Sequence, residues 1–224
     1  MALFEILAIV LGGGAIIGLA SHFLVEPPRA RQLLRRAPRR MIDAFKEGEA
    51  AKIVGTLSYL GEPLRTPLTG RPCACYEILV EEYSATGGMG SWEVVIREFK
   101  GQDFMLRDET GLAIVSPEGA ELEITLDSQT KSGTFHEPTV RETNFLKSHG
   151  RKGKGWLFNK TLRYREGVLE AGEFVAVLGQ GVNEPDPDGA DQVSGYRQGP
   201  PMRLRLGGSK KTPLMISDAP ETLR

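Results

Sequence analysis

Two cysteines one residue apart, Cys73 and Cys75, are the only thiols in the sequence. On a strand, that spacing puts both side chains on one face. There they could pack as core residues or supply half of a thiolate metal site. A tetrahedral zinc site needs about four ligands. No further cysteine and no suitably spaced histidine completes one, so the expectation is a buried pair. His136-Glu137 opens a zinc-protease pattern, but Val140 stands where the second histidine belongs. Asp186, Asp188 and Asp191 have the composition of a calcium loop without its spacing or its terminal glutamate. His149-Gly150-Arg151-Lys152-Gly153-Lys154-Gly155 could favour a phosphate, but no Gly-Lys-Ser/Thr follows a four-residue spacer. No Gly-x-Ser-x-Gly nucleophile elbow occurs. The residues therefore assign no catalytic group, no metal ligand and no cofactor.

One loop keeps a binding role open. Arg151, Lys152 and Lys154 run into Trp156 and Phe158. Basic residues beside aromatic ones suit a membrane interface. They equally suit a protein partner or a plain mobile loop.

The elements that must position these residues begin with an apolar stretch. From Ile6 through Val10, Gly14 and Gly18 to Val25 there is no charge. A bilayer-spanning helix needs about 20 apolar residues, and this stretch supplies them. A cleaved signal peptide would begin with a positive region, whereas Met1 to Glu5 carry no Lys or Arg. Gly14-x-x-x-Gly18 has the spacing of a close helix–helix contact, so self-association through the span is one option. Arg29, Arg31, Arg35, Arg36, Arg39 and Arg40 follow at once. Basic residues flanking a span stay cytoplasmic. The expectation is a single-pass inner-membrane protein, N-terminus out, with its domain in the cytoplasm. The same arginines could bind anionic headgroups.

Residues 26–49 form a basic neck. Leu33, Leu34, Ala37, Met41, Ile42 and Phe45 recur at helical spacing, with Pro38 as a break. This face either lies on the membrane surface or packs on the domain. The net charge of −1 argues against a nucleic-acid partner.

From residue 50 to 220 the pattern is strand-like. Strands are expected at 52–57, 73–83, 92–99, 104–107, 112–115, 122–126, 162–164 and 173–179, separated by Gly, Pro and Asp turns. The 104–107 segment is expected to pair back on 92–99. A last hairpin is expected from 203–206 and 213–217 around Gly207-Gly208. Thr139 to Leu146 reads as one short helix. Residues 183–201, rich in proline and aspartate, read as a flexible loop. The fold class is all-β, a small OB-like or related barrel with one short helix, preceded by the membrane helix of residues 1–25.

Four motifs in order carry a resemblance. Pro67-Leu68-Thr69-Gly70-Arg71-Pro72-Cys73, with Tyr76 and Glu81-Glu82, is the first. Phe104-x-Leu106-x-Asp108-x-Thr110-Gly111, with Val115 and Pro117-Glu118-Gly119-Ala120, is the second. Tyr164-x-Glu166-Gly167-Val168-Leu169-Glu170-x-Gly172-Glu173, continuing to Gly179, is the third, and Leu214-Met215-Ile216-Ser217-Asp218 closes the set. Together they resemble the GIDE-type, or beside-a-membrane, domain of mitochondrial ubiquitin ligases of the GIDE/MULAN type. That resemblance implies an association with ubiquitin transfer. The family ligases add a second span and a RING finger with two zinc sites. Two cysteines cannot furnish those sites. The expected function is a non-catalytic docking or sensing module of a bacterial membrane. One alternative is a RING-less component that recognises substrate in trans to a catalytic partner. A further alternative is an anionic-lipid binding protein.

Overall fold

Strand β1 (Ala50–Tyr59) is buried along most of its length, because it has partners on both edges and cover on both faces. In the computed structural model, residues 27–85, 90–133, 136–151, 160–186, 202–209 and 212–224 are described. The span expected at Ile6–Val25 lies outside them. Among the described residues, no helix is long and apolar enough to cross a membrane.

The other strands that build the barrel are β6 (Phe104–Arg107), β7 (Leu112–Val115), β11 (Phe174–Pro185) and β12 (Met202–Gly207). Their order is β1-β6-β7-β12-β11, and β11 pairs back onto β1, so the ring is closed. Closure removes the exposed sheet edges that invite aggregation. Alternate residues point inward. Ala51, Ile53 and Leu57 meet Phe104, Leu106, Val115, Val175, Val177 and Leu206 in one apolar cluster. Two short strands, β8 (Glu121–Glu123) and β13 (Met215–Ser217), extend the sheet beyond β11.

A second sheet has the order β5-β4-β10-β9, formed by β5 (Ser91–Gly101), β4 (Cys75–Ser84), β10 (Leu162–Leu169) and β9 (Ser128–Ser132). Helix α2 (Val140–Ser148) contributes Phe145 and Leu146 to the core that also holds Ile78, Val80, Leu162 and Tyr164. Thr139 and Glu142 form a reciprocal capping box at its N-terminus, which satisfies two backbone N–H groups that the first turn leaves unpaired. The remaining pair, β2 (Leu64–Arg65) and β3 (Pro72–Cys73), is a minimal ribbon beside them.

The neck turns its apolar face onto the domain. Helix α1 (Pro27–Arg36) buries Ala30 and Leu34 against Val54, Ala176 and Met215 on the outside of the barrel. Further on, Ile42 and Phe45 join the main core. Asp108, from the second motif, locks this arrangement. Its carboxylate accepts hydrogen bonds from the N–H groups of Ile42 (2.8 Å), Thr110 (2.7 Å) and Gly111 (3.0 Å), and from the Thr110 hydroxyl. Burial pushes this carboxyl up, but those hydrogen bonds outweigh it and hold it below the usual range.

Four expectations need correction. The architecture has two short α-helices rather than one, since α1 precedes the barrel. Segment 104–107 does not pair back on β5; it joins β1 and β7, while β5 pairs with β4 in the other sheet. Strands β12 and β13 do not pair with each other. Each pairs with a different stretch of the long strand β11, 180–185 and 176–178 respectively. The strand expected at 122–126 ends at Glu123, where the chain leaves β8 to cross toward the second sheet. In the two pairing changes, a short apolar segment joined the barrel rather than its sequence neighbour.

Two stability tests follow from this geometry. A Cβ on Gly55 would lie 2.4 Å from the Arg107 carbonyl oxygen. Gly55→Ala should therefore cost about 1–3 kcal/mol, read as a lowered urea midpoint. Asp108→Asn should cost about 1–3 kcal/mol at pH 7. Because the native carboxyl is depressed, its stabilisation is present above its unfolded value of 3.8 and lost as pH falls through the lower native value. The gap between the urea midpoints of the two proteins should close on acidification.

Candidate functional site

A groove runs between the second sheet and the segment that leaves β8. Its floor is one face of the sheet: Glu77 and Leu79 from β4, Arg97 from β5 and Arg165 from β10. Leu79 pairs in register with both arginines, so it lies between them. The opposite wall is Leu122, Ile124 and Leu126. The space comprises two adjoining depressions of about 250 and 320 Å³ that share Glu77, Arg97 and Leu122. The second reaches Ala30, so the groove opens beside helix α1. Ligand sites in proteins span roughly 300–1,000 Å³.

Gly167 makes this approach possible. It pairs with Glu77, and a Cβ there would lie 2.6 Å from the Thr125 carbonyl oxygen. Without that side chain, the 124–126 segment can lie close over β10. Asp218, from the closing motif, fastens the segment by accepting hydrogen bonds from the Thr125 N–H (2.8 Å) and hydroxyl (3.1 Å).

The charges in the groove are unequally matched. Glu77 is 5 % exposed, and burial pushes its carboxyl up against the opposing pull of Arg97. Arg97 Nε donates to Glu77 Oε1 at 2.7 Å. Across the groove, Glu123 accepts from Arg31, which also reaches Glu221 at 3.0 Å. Arg165 is half-buried in the same depression. It has no hydrogen bond or ion pair among the described residues, although its charge helps to hold the Glu77 carboxylate. A half-buried guanidinium with unused donors suits a carboxylate, which it can hold with two parallel hydrogen bonds.

The first and third motifs meet around the 66–71 loop. Arg71 Nε and Nη2 donate to the two oxygens of Glu170 at 3.1 and 2.8 Å, and Nη1 reaches Asp127 at 2.7 Å. Glu166 accepts from the Thr69 hydroxyl. These residues join the 66–71 loop to the end of β10. Their distance in sequence concealed these contacts.

The residues singled out from sequence are scattered. Arg35, Arg36, Arg39 and Arg40 are exposed, and Arg29 falls on helix α1. Arg31 and Arg40 are engaged with acidic partners, Arg40 with Glu49 at 3.1 Å. Arg151 donates to the Val95 carbonyl. Lys152, Lys154, Trp156 and Phe158 lie outside the described residues, as do Ile6, Val10, Gly14, Gly18 and Val25. The cysteines do not share a face. The strand breaks at Ala74, so Cys75 enters the barrel core and Cys73 enters the core under α2. Among the described residues, no three His, Cys, Asp or Glu gather to hold a metal. Sequence reasoning did not single out Glu77, Arg97 or Arg165, because each looked like an ordinary polar position of an alternating strand.

Burial pushes both thiols up to about 12. Since the thiolate is the reactive form, iodoacetamide at pH 8.5 should leave Cys73 and Cys75 unmodified in the folded protein. Both should be alkylated in denaturant over the same time, as intact mass will register.

The family comparison covers the second and third motifs, while the Pro67–Cys73 core of the first and the closing motif lie outside the matched residues. The model for the GIDE family, described as an E3 ubiquitin ligase, matches residues 76–188, about half of the chain. No curated protein and no solved structure matches it. The match takes in β4, β5, β10 and β11, and with them the arginines of the groove floor. The chain belongs to the GIDE (E3 ubiquitin ligase) family.

Proposed function

We propose that this chain is a membrane-tethered, non-catalytic recognition module that holds a partner protein at the cytoplasmic face of a bacterial inner membrane. The observation that carries the reading is Arg165, a half-buried cation without a hydrogen-bonded acceptor among the described residues, in a groove with apolar walls. The groove suits an acidic side chain flanked by apolar ones. Two buried thiols held in their neutral form supply no nucleophile for thioester transfer. Because α1 is docked on the barrel and opens onto the groove, a span ahead of Pro27 would hold the site close to the headgroups. Membership in an E3 ligase family favours a narrower form of the same reading, in which the bound partner is a substrate presented to a separate catalytic ligase. The exposed arginines Arg35, Arg36 and Arg39 support a contribution from anionic lipid.

Photo-crosslinking in intact membranes tests the proposal. A crosslinker at Val94, exposed on the groove rim, should capture a discrete partner through the full chain. Arg165→Gln should lower the yield at least tenfold, which corresponds to about 1.4 kcal/mol, with the fold retained by circular dichroism and only a modest fall in thermal midpoint from the lost support of Glu77. Equal capture by the variant would remove the groove from the function. A reporter fused after Arg224 and found outside the cytoplasm would reverse the topology. Ubiquitin transfer by the chain alone, supplied with activating and conjugating enzymes, would overturn its non-catalytic character.

A further inference from the structure

On the face of the second sheet opposite the groove lies a cavity of about 90 Å³, where the start of α2 meets β9 and β10. Two carboxylates line it, Glu142 at 5 % exposure and Glu166 at 1 %. The other polar groups around it are hydroxyls, from Thr69, Ser128, Thr130 and Tyr164. Among the described residues, no Lys, Arg or His lines the cavity. Both oxygens of Glu142 are occupied, one by the Thr130 hydroxyl and the other by the Thr139 N–H at 2.7 Å. Glu166 is only half satisfied: Oε1 accepts from Thr69, while Oε2 is buried with no partner among the described residues.

An ionised carboxylate taken out of water costs several kcal/mol unless a counter-charge repays it. Two in one small cavity compound that cost. The surface has carboxylates with arginine partners in plenty, such as Glu170 and Glu184, so the lack of a cation here is local. We infer that the cavity is a binding site for a hard, oxygen-seeking cation of the calcium class. The donor set consists of oxygen alone, which suits calcium and disfavours zinc. A divalent ion would balance the two carboxylates and give the orphaned Oε2 a partner. Calcium gives up its water readily, whereas magnesium retains several waters. Protein oxygens and one or two waters would complete the shell. The bound ion would join the 66–71 loop, the paired strands β9 and β10, and the capping box of α2; the Thr69 hydroxyl already links the loop to β10, and the Thr130 hydroxyl links β9 to α2. This site is independent of the groove and of any partner bound there.

The full chain, stripped with chelator, should bind calcium chloride by calorimetry and gain thermal stability of roughly 5 °C at saturation. Glu166→Gln keeps the shape and removes the charge, so it should weaken calcium binding at least tenfold and abolish the thermal gain. Glu184→Gln, on the far surface, should bind as the parent does. Terbium, a calcium substitute, should show luminescence excited through Tyr164 and quenched by excess calcium. Absence of a calcium heat and of a thermal shift in the parent protein would overturn the inference. So would equal calcium binding by Glu166→Gln, or a parent that binds magnesium and excludes calcium.

Discussion

Strand β1 hydrogen-bonds to β11 from Ala50 to Thr56 and to β6 from Thr56 to Tyr59. This handover closes the barrel, and the other elements depend on it. It joins segments more than a hundred residues apart, a contact whose loop-closure entropy must be met by packing around it. The packing is supplied on both faces: the apolar barrel interior on one, and helix α1 on the other. Gly55 lets the Arg107 carbonyl come close at the point of exchange. Once β11 is fixed, β12 and β13 have templates, β8 follows β13, and the chain is delivered at residue 124 to the second sheet.

The junction between barrel and second sheet is governed by charge and by the absence of a side chain. Gly167 admits the 124–126 backbone, and Asp218 holds it. Around this crossing the charged groups are mostly paired: the buried Glu77 with Arg97, and the more exposed Glu123 with Arg31 and Glu170 with Arg71. For the buried Glu77 a slip in register would leave an ion uncompensated, which disfavours other arrangements. Two departures from full pairing stand out against that background. Arg165 has unused donors on one face of the sheet, and Glu166 has an unused acceptor on the other. They are adjacent residues of β10, pointed to opposite faces by strand geometry.

Much of the fold was legible because local signals were strong. The 104–107 and 112–115 strands and the start of α2 follow from alternation, turn residues and the Thr139–Glu142 capping pattern. The barrel class and the family followed from strand density and from motifs in order. Pairing partners were less legible. Strand β6 looked like the return arm of a hairpin with β5, yet its apolar residues gain more inside the barrel. The groove was hidden for a similar reason. Glu77, Arg97 and Arg165 lie on three strands, and their proximity follows from the register of β4 with its two neighbours.

The sequence by itself determined the element types, the β class, the family motifs and the lack of a recognisable catalytic pattern. Those features depend on neighbours along the chain, where spacing translates directly into side-chain direction. Only the tertiary structure decided that the neck packs on the barrel, that Cys73 and Cys75 enter different cores, and that Arg165 and Glu166 face two separate cavities. Burial and electrostatic pairing arise between segments distant in sequence, so they are settled when the sheets close and water leaves.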